Sequence, residues 1–366
     1  MTVGITGATG QLGFHTRCRL GHHDGYQVAV VDRKGFANPE QLARFVAESD
    51  VVVHLAAINR GTDTEVGEGN RWLADQLAAA IRRSESAPGH VIYVSSTQCD
   101  RDNVYGRAKR AAGHRLRSVT EARDGRFLEL VLPNLFGEYT RPYYNSFVAT
   151  FCHQVAAGRP LSIHGDNPVS LLHYGEVAAI IADSIASGAH GSVRPAGLDT
   201  SVVAVADQLV AMHGDYARGI VPDLRDRFRL QLFNSYRSCL FPDFYPFTLE
   251  LMSDPRGSLV ECIKERNGGQ AFYSSTRPGV TRGNHFHFDK VERFLVVSGS
   301  ARISIRRLYD DKVQHFDVSG GRPAFIDMPT LHTHSITNTG SDDLLTLFWA
   351  HELFDPNHAD TYPEVV

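Results

Sequence analysis

Hydrophobic positions in the first half of the chain gather into short β-branched runs, separated by longer stretches with helical patterning. Residues 3–6, 27–32, 51–55, 90–95 and 128–132 read as successive buried strands, and residues 72–83 and 109–121 as helices between them. That alternation predicts βαβ units and a parallel, Rossmann-type sheet. From about residue 245 the texture changes to short strands separated by Gly, Pro and Asp turns (PRGS, RPGVTRGN, VSGS, YDDK, NTGSDD), which predicts an antiparallel barrel or sandwich. The stretch 234–246 is aromatic, contains proline and has no clear period. The boundary is placed there, giving an α/β domain over 1–243 and an all-β domain over 244–366.

A chain of 366 residues has room for two or three domains, each with its own core. A net charge of −4 leaves no basic field, so neither nucleic acid nor an anionic membrane is an expected partner. The five cysteines are scattered and form no C-x-x-C pair, which argues against a disulfide framework or a thiolate metal site. The chain enters its first strand without the basic and apolar stretches of a secretory leader, and no 18-residue apolar span occurs. The cytoplasm is the expected compartment.

The run Thr6-Gly7-Ala8-Thr9-Gly10-Gln11-Leu12-Gly13 follows the first strand and opens a helical pattern. Glycines there let the backbone turn and approach a pyrophosphate, while the helix N-terminus offers N–H donors. Gly7, Thr9, Gly10, Gln11, Leu12 and Gly13 are therefore candidate dinucleotide contacts. At the end of the second strand, Asp32 would accept from a ribose 2′-hydroxyl and favour NAD, whereas Arg33 would pair with a 2′-phosphate and favour NADP. The two pull in opposite directions, and the choice stays open. Farther on, Ser95-Ser96-Thr97 ends a strand, and Tyr105 and Lys109 share one helix face at i and i+4. A nearby ammonium is expected to favour phenolate and lower the Tyr105 pKa. Tyr105 could then exchange a proton with a substrate carbonyl or carbinol oxygen held by Ser96 or Thr97.

In the second half, His285 and His287 at i and i+2 project from one strand face, Glu292 returns from the following stretch, and His334 comes later. Three imidazoles and a carboxylate suit a divalent transition metal, with zinc the default because no redox role is needed. His332 is a rival ligand, ranked below His334 on position.

Residues 1 to about 235 resemble the extended short-chain dehydrogenases/reductases that act on nucleotide sugars. The matching features are TGATGQLG, HLAA (54–57), Asn70, the Ser-Ser stretch, Tyr105-x3-Lys109 and PNLFG (133–137). The resemblance implies that His54, Leu55, Ala56 and Ala57 line the cofactor, and that Asn134, Asn145 and His173 lie in the sugar-nucleotide region. The His/Glu spacing resembles both cupin motifs, with Leu331 where the second usually has glycine. The whole chain resembles bifunctional capsular polysaccharide enzymes of the CapF type, through Asn145-Ser146, ATFC, Asp254-x-Arg256-Gly257-Ser258, PGVTRGNHFH, FLVVSG and ELFDPNHADTY.

That resemblance implies a cupin jelly-roll barrel that epimerises C3 of a UDP-2-acetamido-2,6-dideoxy-4-hexulose. A C4 reduction with NADPH follows, with NADH as the alternative, to a 6-deoxy-talose-type precursor of L-fucosamine-like sugars. It further implies a homodimer, with Arg256, Glu261, Lys264 and Gln270 facing the barrel cavity and Lys264 as a proton carrier. Epimerisation must come first, since reducing the ketone removes the acidity of the neighbouring C–H. Two rival readings remain: a plain 4-ketoreductase with a 3,4-ketoisomerase or accessory barrel, and a nucleotide-sensing scaffold, against which Tyr105, Lys109 and the metal set argue.

Overall fold

Six strands form the parallel sheet expected from the apolar runs, in the order Gln27–Val31, Thr2–Thr6, Val51–His54, His90–Ser96, Arg126–Leu132, Gly191–Val193. The computed structural model describes residues 1–255, 257–266 and 268–366, so Arg256 lies outside the described residues. Successive strand residues point to opposite faces, and here both faces are covered. Val52, Val91, Tyr93 and Phe127 pack with Leu77, Ile81 and Leu116 from helices Asp63–Arg83 and Val104–Glu121. Ile5, Val53, Ile92 and Leu128 pack with Val177, Ile181 and Ile185 from helix Tyr174–Ser187. This two-sided burial is why the strands read as unbroken apolar runs. Helix Asp63–Arg83 starts at a capping box, in which the Thr62 hydroxyl accepts from the Glu65 amide and the Glu65 carboxylate accepts from the Thr62 amide.

Chain packing divides the molecule into two compact units. One comprises Met1–Phe136, Thr140–Phe147 and Asn167–Ser201; the other comprises Gly137–Tyr139, Val148–Asp166 and Val202–Val366. The second unit holds two five-stranded antiparallel sheets. One runs Phe247–Thr248, Ala324–Met328, Glu292–Ser298, Leu344–Ala350, Gln270–Thr276, and the other Val313–Ser319, Ser300–Arg307, His332–Asn338, Thr281–Phe286, Tyr362–Pro363. The sandwich alternative is the one observed, with no closed barrel among the described residues. Phe294, Val296, Ile326 and Phe348 of the first sheet meet Ile303, Ile305 and Ile336 of the second in a single core.

A buried ion pair ties this sandwich to helix Val202–Tyr216. Arg293 donates to both carboxylate oxygens of Asp327 at 2.7 and 2.9 Å, and the Tyr216 hydroxyl donates to the same carboxylate at 2.6 Å. Removing one partner would strand a buried charge, a loss of ~3–5 kcal/mol. Among the described residues, no helix is long and apolar enough to cross a membrane.

Candidate active sites

The glycine loop is built around close backbone approaches. Gly7 adopts φ +72°, and a β-carbon there would lie 2.7 Å from the Ala56 amide nitrogen. A β-carbon on Gly13 would lie 2.1 Å from the Gly7 carbonyl oxygen, so that turn of helix Gln11–Gly21 packs against the loop only as glycine. Gly10 supplies no side-chain cap and the first turn carries no acid, which leaves the helix N-terminus suited to an anion. A buried hydrogen bond of 2.7 Å joins Thr6 Oγ1 to His54 Nδ1, and Thr6 Oγ1 also accepts from the Ala56 amide at 3.4 Å. Burial drives the His54 pKa down to about 3, with the Lys109 charge adding to the effect, so His54 is a neutral pin between the glycine loop and the Leu55-Ala56-Ala57 segment. Asn70 secures the next residues, donating to the Ile58 carbonyl and accepting from the Ile58 amide.

Asp32 is committed locally. Its carboxylate caps helix Arg33–Ala37 by accepting from the Gly35 amide at 2.7 Å, while Arg33 and Lys34 stand exposed beside it.

Gly106 brings the helix that carries Tyr105 and Lys109 against the Thr97–Asp100 turn, since a β-carbon there would lie 2.2 Å from the Gln98 carbonyl oxygen. Ser96 begins that turn, its hydroxyl accepting from the Gln98 amide at 3.3 Å. Lys109 is almost wholly buried; its ammonium donates to the Val94 carbonyl at 2.7 Å and lies 6.0 Å from the Tyr105 ring centre. Burial lowers the Lys109 pKa to about 8, although Glu129 favours its charge. Burial also raises the Tyr105 pKa. This corrects the expectation of a lowered phenol: both groups share a desolvated pocket, and the ammonium is turned toward a carbonyl.

The second site is assembled from three strands and a loop. The potential ligand atoms of His285, His287, Glu292 and His334 all lie within 4.8 Å of one another. His285 and His334 are cross-strand partners, and the register shifts between Gly283 and His285. Asn284 absorbs the extra residue at φ +60°, a left-handed conformation that asparagine adopts at low cost. The chemistry of the donor set is decisive. His287 Nδ1 bonds the Asp360 carbonyl, and His334 Nδ1 bonds the His332 carbonyl at 3.2 Å. Carbonyls only accept, so both Nδ1 atoms carry hydrogen and both Nε2 atoms are left to face the cluster. Those Nε2 atoms face Glu292 Oε2, at 3.1 Å from His287 and 3.5 Å from His334.

Burial would raise the Glu292 pKa, yet the two imidazoles hold it well below the usual carboxylate range. Burial lowers His334, and it lowers His285 to about 4 with help from the neighbouring histidines. Three imidazoles converging on an ionised carboxylate form a donor set that fits a divalent cation.

His332 faces elsewhere, its Nδ1 lying 3.0 Å from the Tyr139 hydroxyl and 3.1 Å from the Thr330 carbonyl oxygen. Leu331 takes φ +58°, the conformation that glycine would take without strain. Asp360 escaped notice in the sequence: besides receiving His287, its carboxylate accepts from the amides of Phe288, Asp289 and Lys290. Seventy-three residues separate it from His287, and no local signal links them.

The remaining candidates are spread out. Asn134 and Asn145 are exposed in the first unit. His173 is buried there, capping helix Tyr174–Ser187 and packed on Phe136. In the second unit, Lys264 pairs with Glu261 at 3.1 Å, and Gln270 accepts from the Phe354 amide at 2.8 Å.

Residues 3–193 match the family described as NAD dependent epimerase/dehydratase, and residues 252–362 match the polysaccharide biosynthesis C-terminal domain. The chain is 32% identical over 368 residues to the UDP-2-acetamido-2,6-beta-L-arabino-hexul-4-ose reductase of Pseudomonas aeruginosa, spanning 99% of this chain and 98% of that protein. Among solved structures, the capsular polysaccharide assembling protein CapF from Staphylococcus aureus is similar over 100% of both chains, with TM-score 0.62 and 30% identity. A UDP-N-acetylglucosamine 4-epimerase from Bacillus cereus covers 58% of this chain and 82% of its own, with TM-score 0.51; at 19% identity the likeness is one of fold alone.

Proposed function

The chain belongs to the NAD-dependent epimerase/dehydratase family, and from that premise we propose that it is a bifunctional nucleotide-sugar enzyme. In this reading residues 244–366 form a metal-bearing cupin domain that epimerises C3 of a UDP-2-acetamido-2,6-dideoxy-4-hexulose. Residues 1–243 then reduce the C4 ketone with NADPH, giving a 6-deoxy-talose-type product. The observation that carries the two-step reading is the cluster of His285, His287, Glu292 and His334, for which ketone reduction alone has no use. The name of the Pseudomonas aeruginosa relative supports the reduction step and favours a simpler second reading, a 4-ketoreductase with an accessory β-domain.

A nicotinamide cofactor, when bound, would supply the hydride. The glycine loop and the N-terminus of helix Gln11–Gly21 would hold its pyrophosphate. Asp32 is turned to the Gly35 amide while Arg33 and Lys34 are exposed, an arrangement that suits a 2′-phosphate and underlies the choice of NADPH. Tyr105 Oη passes its proton to the C4 oxygen as C4 becomes a carbinol carbon, and Ser96 Oγ orients that oxygen.

At the second site His285, His287, His334 and Glu292 would hold the metal, taken as zinc, which when bound supplies positive charge toward an oxyanion developing beside C3. Lys264, whose ammonium donates to Glu261 at 3.1 Å, is the proposed proton carrier for C3.

Oxidation of NADPH and NADH with freshly generated UDP-2-acetamido-2,6-dideoxy-4-hexulose tests this reading. NADPH consumption ahead of NADH, by protein carrying one metal per chain, is the expected result. A metal-loaded protein that consumes neither would contradict it.

A further inference from the structure

The loop that follows the Leu55-Ala56-Ala57 segment ends in Arg60, which no part of the mechanism above uses. Its guanidinium donates to two successive backbone carbonyls, Tyr143 at 2.8 Å and Tyr144 at 2.5 Å. These belong to the segment just before Asn145, and Tyr143 is held there at φ +57°, an uncommon conformation for a tyrosine. The same guanidinium lies 5.4 Å from the Tyr144 ring centre, and Arg141 lies 5.3 Å from it. Two cations therefore flank one exposed aromatic ring.

Neither arginine makes an ion pair with a carboxylate among the described residues. Other exposed arginines of the same unit do, as Arg107 does with Asp102 and Arg194 with Asp100. In a chain of net charge −4, two concentrated and uncompensated guanidinium groups are a place for an anion.

Their setting narrows which anion. Arg60 follows strand Val51–His54, at the carboxyl end of the parallel sheet, where open α/β folds bind ligands. The dinucleotide pyrophosphate already has its own cradle at Gly7 to Gly13. The segment carrying Arg60 is rigid, since Asn70 grips Ile58 on both its amide and its carbonyl.

We infer that Arg60 and Arg141, flanking Tyr144, anchor the diphosphate of the nucleotide-sugar substrate in the reductase unit. Arg60 also ties the segment lining the cofactor to the segment carrying Asn145. This inference rests on the nucleotide-sugar reading above and assigns it a subsite.

The test is calorimetric titration of the full chain with UDP, and separately with NADPH. The variants are Arg60→Ala, Arg60→Lys and Arg141→Ala. Arg141 holds no backbone hydrogen bond among the described residues, so Arg141→Ala probes charge without loosening the loop. The expected result is a loss of UDP affinity of ~10-fold or more in Arg141→Ala, a larger loss in Arg60→Ala, partial recovery in Arg60→Lys, and unchanged NADPH affinity throughout. In turnover the same variants should raise KM for the keto-sugar more than they lower kcat. Wild-type affinity for UDP in Arg141→Ala would overturn the inference, and so would weakened NADPH binding in its place, which would assign the pair to the cofactor. If the unmutated protein binds NADPH but not UDP, the nucleotide-sugar reading itself fails, and this subsite with it.

Discussion

The two candidate centres stand in opposite electrostatic states. Around Tyr105 and Lys109, burial opposes the charges that proton transfer needs, raising the phenol and lowering the ammonium to about 8. Around His285, His287, Glu292 and His334, both Nδ1 atoms of His287 and His334 are tied to carbonyls, the Nε2 atoms turn to Glu292, and the two imidazoles hold that carboxylate ionised. The first centre therefore depends on what binds to complete it. The second brings its four donor groups together by its own contacts. One chain thus holds two ways of building a site: a pocket that leaves charge balance to its ligands, and a cluster whose side chains are fixed against one another.

The largest expected effect separates the two. Tyr105→Phe should lower ketone reduction by ~10²–10⁴-fold while leaving solvent-deuterium exchange at the sugar carbon intact, measured by cofactor absorbance and NMR. His287→Ala should do the converse, abolishing exchange and metal binding while circular dichroism reports an intact fold; if it also halted reduction of a pre-epimerised substrate, the independence of the centres would be lost. Next in size, Asp360→Ala should weaken metal binding by ~10–100-fold, because its carboxylate holds the Phe288, Asp289 and Lys290 amides that follow His287.

A pH series sharpens the contrast. As pH rises through about 8, Lys109 loses its proton, and kcat/KM for reduction should fall. Stability should move the other way. The native state binds fewer protons than the unfolded chain between about 8 and the usual lysine range, so the cost of burying this charge, present in full below about 8, is relieved as pH rises. Lys109→Met should remove both trends. The smallest effect concerns Leu331, buried at φ +58°. There Leu331→Gly should be more stable than Leu331→Ala by ~1 kcal/mol, reversing the ordinary order because glycine alone escapes the left-handed penalty. Thermal unfolding of the two variants checks this.

What was legible in the sequence follows the same divide. The parallel strands and the glycine loop were readable because two-sided burial and close backbone approach leave local signatures, as at Val51 to Val53 and at Gly13. The nearness of His285 to His287 was readable because a strand's two-residue period puts them together, even though a bulge at Asn284 intervenes. What spacing does not carry is direction and environment. Nothing local announces that His332 turns to Tyr139 rather than to the cluster, that Asp32 caps its own helix, or that Lys109 points at the Val94 carbonyl. Long-range partners such as Arg60 with Tyr143 and Tyr144 were invisible for the same reason, since a guanidinium reaching two carbonyls across the fold leaves no pattern in either segment.

The central claim is that one chain performs two separable steps, and incubation of the wild-type protein with NADPH and UDP-2-acetamido-2,6-dideoxy-4-hexulose in D₂O, read by NMR, tests it most directly. The account predicts cofactor consumption with deuterium at C3 of the reduced sugar, and deuterium at C3 of unreduced sugar in Tyr105→Phe. Consumption with only protium at C3 would contradict it, leaving a ketoreductase whose metal-ready cluster serves another end.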